Sequence, residues 1–94
     1  MQVEFVHVIV SGRVQGVGYR DFALRAAEAH GVAGFVRNRR DGTVEARLVA
    51  SAAALEDMLA ELRHGPPHGR VTTLDILARG PATAESGFFV TATV

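Results

Sequence analysis

Cysteine, lysine and tryptophan are absent from this chain of 94 residues, and only 6% of its residues are aromatic. Without cysteine there can be no disulfide bond, no thiolate zinc site and no cysteine nucleophile. No apolar run is long enough to span a membrane, and no charged N-terminal stretch precedes a long apolar one. The sequence therefore predicts neither a membrane segment nor a signal peptide, and we expect a cytoplasmic protein.

The charges of the chain balance, because all ten basic residues are arginines and ten residues are acidic. A neutral chain argues against a general nucleic-acid binder. With 48% hydrophobic residues the chain has the composition of a folded domain, and its length provides for one core. We expect a single domain over residues 1–94 that works as a monomer.

The apolar patterns predict two helices and five strands. The expected strands cover residues 3–10, 33–38, 43–50, 71–79 and 88–94. The expected helices cover residues 21–30 and the segment between Ser51 and Gly65, and Asp41-Gly42 indicates a hairpin. The order β-α-β-β-α-β plus a short closing strand predicts an α+β, ferredoxin-like two-layer sandwich, in which an antiparallel sheet carries both helices on one face.

A glycine-spaced loop, residues 12–20, connects the first strand to the first helix. Its glycines can turn backbone N–H groups toward an anion, and a helix start adds unpaired donors. Arg20 stands at that start, where a cation is unfavourable unless an anion accompanies it. The loop is then either an anion site or only a tight turn. Its spacing matches neither the dinucleotide fingerprint nor the P-loop.

A second polar stretch surrounds Asn38, next to Arg37, Arg39 and Arg40. Taken alone, Asn38 is more typical of an ordinary turn residue, and the arginines of a solvated face. The four histidines lack metal-binding spacing and there is no acidic cluster, so we expect no metal site. Ser11 lacks the context of a nucleophile elbow, which argues against a serine hydrolase.

Together the two stretches resemble the signatures of the acylphosphatase family. Gly12 to Arg20 matches its Gly-x-Val-Gln-Gly-Val-x-Phe-Arg signature, with Tyr19 in the aromatic position. The second signature is filled by Gly34, Phe35, Arg37, Asn38, Gly42 and Val44. One departure is Ala50, where the family usually has glycine. The resemblance implies the ferredoxin-like fold, hydrolysis of acyl phosphates, phosphate binding by Arg20 and a water molecule held by Asn38.

The residue chemistry is consistent with such a reaction. Asn38 can donate and accept hydrogen bonds but cannot act as a base at neutral pH. A site without a proton donor suits a carboxylate leaving group, whose conjugate acid has a pKa of about 4. We therefore expect direct attack of water on phosphorus, with no cofactor and inorganic phosphate as the product. The phosphoryl oxygens would be held by the guanidinium and by the backbone N–H groups of Gln15, Gly16, Val17, Gly18, Tyr19 and Arg20.

Two other functions remain open at this point. A ferredoxin-like domain can bind RNA on its sheet, but this chain lacks the aromatic signature of that class. An acylphosphatase-like domain can also work within a larger carbamoyl-transfer enzyme. The physiological acyl group is left open, because no stretch indicates a dedicated side-chain pocket.

Overall fold

The computed structural model describes residues 2–94, which form two helices and five strands. The strands are β1 (Val3–Arg13), β2 (Ala33–Asn38), β3 (Val44–Ala50), β4 (Arg70–Ala82) and β5 (Phe88–Val90). The helices are α1 (Tyr19–His30) and α2 (Ala52–His64). The predicted order of elements is confirmed. Neither helix is long and apolar enough to cross a membrane.

The five strands form one sheet in the order β4-β1-β3-β2-β5. The expectation of an antiparallel sheet was wrong at one edge, because β5 pairs parallel with β2. The reason lies in where β4 ends. Its last residue, Ala82, pairs with Val3 at the start of β1, and this is also the end of the sheet at which β2 begins. A chain that crosses that end to reach β2 must run in the same direction as β2.

Both helices cover the same face of the sheet, which agrees with the predicted two layers. Val6, Val8 and Val10 of β1 are 0% exposed, and the apolar stripe of α2 packs against the same core. Ser51 caps α2, since its hydroxyl accepts a hydrogen bond from the N–H of Ala54 at 3.2 Å. Burial of these apolar side chains holds the sheet and the helices together.

The face of the sheet away from the helices is partly buried. The alternation of apolar and polar residues over 43–50 predicts instead that Thr43, Glu45 and Arg47 face solvent there. Glu45, expected on a solvated face, is only 6% exposed. His7 Nε2 lies 2.7 Å from its Oε2, and Arg37 Nε donates to its Oε1 at 2.9 Å. Burial alone would raise the pKa of Glu45, but the hydrogen bonds from Arg37 and His7 outweigh it and lower that pKa. Glu45 is thus a buried carboxylate held ionised by its partners.

The C-terminal limits of three strands differ from the prediction, and β3 and β4 each begin one residue away from the predicted start. β1 continues through Gly12 to Arg13, and β4 continues through Pro81 to Ala82. Proline is tolerated there because β4 is an edge strand and its outer side needs no N–H donor. β5 ends at Val90 rather than residue 94, although the N–H of Thr91 still donates to the Val36 oxygen at 3.0 Å.

Candidate active site

The loop between β1 and α1 is shaped by two glycines with left-handed backbone, Gly16 at φ 71° and Gly18 at φ 81°. Gly18 is the N-cap of α1 and offers no capping side chain. The first helical N–H with an acceptor is that of Phe22, which donates to the Gly18 oxygen at 3.0 Å. Within the described chain, the N–H groups of residues 16–21 have no acceptor. They lie at the positive end of the helix dipole.

The loop is fixed to the turn between β2 and β3 by the side chain of Gln15. Its Nε2 donates to the Arg39 oxygen at 2.7 Å and to the Thr43 oxygen at 2.8 Å. The same turn follows Asn38, the last residue of β2. The loop and Asn38 are therefore held at a fixed separation, although they are distant in sequence.

Asn38 has a buried side-chain oxygen without a hydrogen-bond partner among residues 2–94. Its backbone is held, because its carbonyl oxygen accepts a hydrogen bond from the N–H of Val94 at 3.1 Å. An unpaired buried acceptor costs about 1–3 kcal/mol. Such an atom is a candidate for binding a substrate group or a water molecule.

Arg20 and Asn38, the two residues to which the resemblance assigns phosphate and water binding, line one cavity of about 330 Å³. Its other lining residues are Val14, Gly16, Gly18, Tyr19, Asp21 and Val90. No carboxylate of the described residues pairs with Arg20, since the adjacent Asp21 pairs with Arg25 Nε at 3.1 Å. The cavity therefore combines an uncompensated guanidinium, unpaired backbone donors and one orphaned amide oxygen.

Sequence reasoning missed three of the lining residues, Val14, Asp21 and Val90. Asp21 directly follows Arg20, and this adjacency was an available signal. Val90 reaches the cavity only because β5 pairs parallel with β2, and no pattern in the sequence indicates that pairing. Among the predicted loop residues, Gln15 and Val17 belong to the loop but do not line the cavity.

Tyr19 lies at the base of the cavity and is 2% exposed. Its hydroxyl donates to the Leu62 oxygen of α2 at 2.7 Å. Burial raises the pKa of the Tyr19 phenol above its ordinary value. Tyr19 is thus a protonated anchor between the start of α1 and the last turn of α2.

The other titratable groups considered from the sequence lie elsewhere. His7 contacts Glu45 on the face of the sheet away from the helices, and His68 is exposed in the turn before β4. Within residues 2–94, no group of three or more acidic, histidine or cysteine side chains is placed to hold a metal ion.

A larger open groove of about 640 Å³ lies at the start of β1, where Arg79 is paired with Glu4 and Glu56.

Comparison with known proteins identifies similar chains. The acylphosphatase family model matches residues 6–90. An acylphosphatase from Azorhizobium caulinodans is 47% identical over 90 residues, which are 95% of this chain and 96% of the relative. The crystal structure of acylphosphatase from Bacillus subtilis superimposes with a TM-score of 0.86 at 31% identity, over 95% of this chain and 98% of that one.

The same fold also occurs as part of a longer protein. HypF from T. kodakarensis matches 97% of this chain with a TM-score of 0.81 at 25% identity, but the match covers 12% of that protein.

Proposed function

This chain belongs to the acylphosphatase family and hydrolyses acyl phosphates, and we propose that it does so by direct attack of water on phosphorus, without a metal ion. The observation that carries this proposal is the shared cavity of Arg20 and Asn38. One residue is suited to bind the phosphoryl group and the other to hold the attacking water. Catalysis then depends on positioning and on stabilisation of charge.

The phosphoryl oxygens bind to the Arg20 guanidinium and to the backbone N–H groups of the loop. The absence of a carboxylate partner for Arg20 in the described chain supports this role, because an ion pair would compete with the substrate. Gly16 and Gly18, with positive φ, shape the backbone that carries these donors. Arginine presents a planar pair of donors that fits two phosphoryl oxygens.

Asn38 holds the attacking water through its buried Oδ1, which has no partner among residues 2–94. The amide accepts a hydrogen bond from the water and fixes its orientation, but does not remove its proton. That proton passes to a phosphoryl oxygen as the new P–O bond forms. The bond between phosphorus and the acyl oxygen breaks, and the electron pair leaves with the carboxylate.

The leaving carboxylate needs no proton from the enzyme, because its conjugate acid has a pKa of about 4. Tyr19 is an unsuitable donor, since its hydroxyl is already bonded to the Leu62 oxygen. These features favour mixed anhydrides of a carboxylic acid and phosphate over simple phosphate esters. The products are a carboxylate and inorganic phosphate.

We further propose that the chain acts as a monomer and does not bind nucleic acid. The loop, Arg20 and Asn38 all come from one chain. On the open face of the sheet, the arginines that stack on Phe35 and Phe5 are already paired with Glu45 and Glu85. Their charges are therefore largely compensated, which disfavours the RNA-binding alternative.

The assigned roles are tested by two variants with opposite kinetic signatures. Arg20→Lys should lower kcat/KM at least a hundredfold, or about 3 kcal/mol of transition-state stabilisation, because lysine keeps the charge but loses the planar donor pair. Asn38→Ala should lower kcat while the inhibition constant of inorganic phosphate changes little. Arg25→Lys, on an exposed face of α1, is the matched control and should keep wild-type kinetics.

Near wild-type turnover of Arg20→Lys would show that this arginine is structural. If phosphate binding weakened in Asn38→Ala as much as kcat fell, Asn38 would be a phosphate ligand. Metal independence is tested separately by assay in excess EDTA. Loss of activity there, with recovery on adding magnesium, would refute the metal-free reaction.

A further inference from the structure

The ten arginines divide into two groups of five by their ion pairs. One group has carboxylate partners: Arg25, Arg37, Arg39, Arg47 and Arg79. The other group has none among the carboxylates of residues 2–94: Arg13, Arg20, Arg40, Arg63 and Arg70. We call this second group the positive end.

The members of the positive end lie at one end of the fold, which is the end that carries the cavity. Arg13 is the last residue of β1 and Arg70 the first of β4, and the two are register partners. Arg40 is in the turn after Asn38, and Arg63 is in the last turn of α2. Apart from Arg20, all of these side chains belong to exposed residues.

The acidic residues do not compensate this end. Asp21 is paired with Arg25, and Asp41 accepts hydrogen bonds from Thr43 and lies 3.8 Å from Arg39. Of the other acidic residues, Glu61 lies 3.4 Å from His30 and Asp75 of β4 is the register partner of Ile9, whereas Glu4 lies at the start of β1. A chain with a formal net charge of zero therefore carries an excess of unpaired positive charge at this end.

The Arg13 and Arg70 pair has a cost for folding. Like charges directly opposite each other on neighbouring strands are destabilising. The two residues cannot easily move apart, because β4 packs closely on Gly12. A Cβ added to Gly12 would lie 2.2 Å from the Arg70 oxygen. The two guanidinium groups repel each other in the free protein, and this repulsion is offset when an anion binds near them.

We propose that the positive end attracts dianionic substrates to the cavity, and that Arg13 and Arg70 raise the affinity for the phosphoryl group without touching it. The inference rests on the proposed function, in which the phosphoryl group binds at Arg20. Coulomb attraction acts over about 30 Å at an ionic strength near 0.01 M and over about 8 Å at 0.15 M. A dianion gains twice as much from this field as a monoanion.

The test is the Kd of inorganic phosphate, measured by calorimetry at pH 8 for the wild type and for Arg13→Gln/Arg70→Gln. The double variant should bind phosphate about fivefold more weakly at an ionic strength near 0.01 M, and the difference should vanish near 0.5 M salt. Arg47→Gln/Arg79→Gln is the matched control, because it changes the net charge equally away from the cavity. Its Kd should stay within about twofold of the wild type.

Each other result overturns the inference. A loss of affinity that persists in high salt would indicate direct contacts of Arg13 or Arg70 with the anion. An equal loss in the control would mean that only net charge matters, and no loss in either would mean that the positive end is inert. Failure of the proposed function gives a different result, namely no phosphate release from acetyl phosphate by any of the three proteins.

Discussion

The side-chain amide of Gln15 donates two hydrogen bonds, to the Arg39 oxygen at 2.7 Å and to the Thr43 oxygen at 2.8 Å. These bonds join the loop between β1 and α1 to the turn that follows Asn38. The two halves of the proposed site are therefore positioned by a residue that does not line the cavity.

Replacing Gln15 by alanine should lower kcat/KM about tenfold, because small displacements of catalytic groups are costly to the rate. It should also lower the free energy of unfolding by about 1–2 kcal/mol, since two part-buried carbonyl oxygens lose their donor. A steady-state assay measures kcat/KM, and urea unfolding measures the free energy of unfolding. Gln2→Ala, on an exposed residue, is the control. Unchanged kinetics in a destabilised Gln15→Ala would restrict this residue to a structural role.

Inorganic phosphate should inhibit competitively and stabilise the fold. At about 100 times Kd it should add roughly 2.7 kcal/mol, or about 14 °C in Tm for a domain of this size. Arg20→Ala should remove most of this rise in Tm, whereas Arg79→Ala, in β4 opposite Val6 and away from the cavity, should keep it. A full shift in Arg20→Ala would place the anion elsewhere.

Glu45 should make stability depend on pH in the acid range. Its pKa is lowered in the fold, so its contribution is complete above the unfolded value of 4.5 and is lost as the pH falls through the folded value. Glu45→Gln should cost about 2 kcal/mol at pH 7 and less at pH 3, by urea unfolding at each pH. Glu85→Gln, which removes an exposed partner of Arg47, should cost well under 1 kcal/mol. A Glu45→Gln effect of equal size at pH 7 and pH 3 would show that its charge does not matter.

The sequence predicts the features that depend on local pattern. The limits of β2 are correct to the residue, because turn signals flank an apolar run of the right length. The glycines of the loop predict the turn before α1, and all three, Gly12, Gly16 and Gly18, have positive φ. The placement of Arg20 and Asn38 in one cavity follows from the resemblance to a family rather than from periodicity.

Features that depend on pairing between segments far apart in the sequence cannot be predicted from local patterns. The parallel pairing of β5 with β2 depends on where β4 ends, and a three-residue strand carries little pattern. Alternation in β3 places Glu45 on the face away from the helices but does not reveal that His7 and Arg37 cover it. Val90 enters the cavity as a consequence of the same pairing of β5.

The leaving group tests the account most directly. The proposed site has no proton donor for the leaving oxygen, so kcat/KM should depend steeply on leaving-group acidity. Acetyl and benzoyl phosphate release carboxylates, and an alkyl phosphate releases an alkoxide. Para-nitrophenyl phosphate releases a phenolate, whose conjugate acid is weaker than a carboxylic acid but stronger than an alcohol.

The decisive measurement is kcat/KM across this series at one pH. We expect rapid cleavage of the acyl phosphates, intermediate rates for para-nitrophenyl phosphate and almost none for alkyl phosphates. Asp21, the ionisable carboxyl residue in the cavity lining, would be the first to substitute if a general acid were present, because His7 and His68 do not line the cavity. Comparable rates across the series, with alkyl phosphates cleaved as fast as acetyl phosphate, would contradict the mechanism.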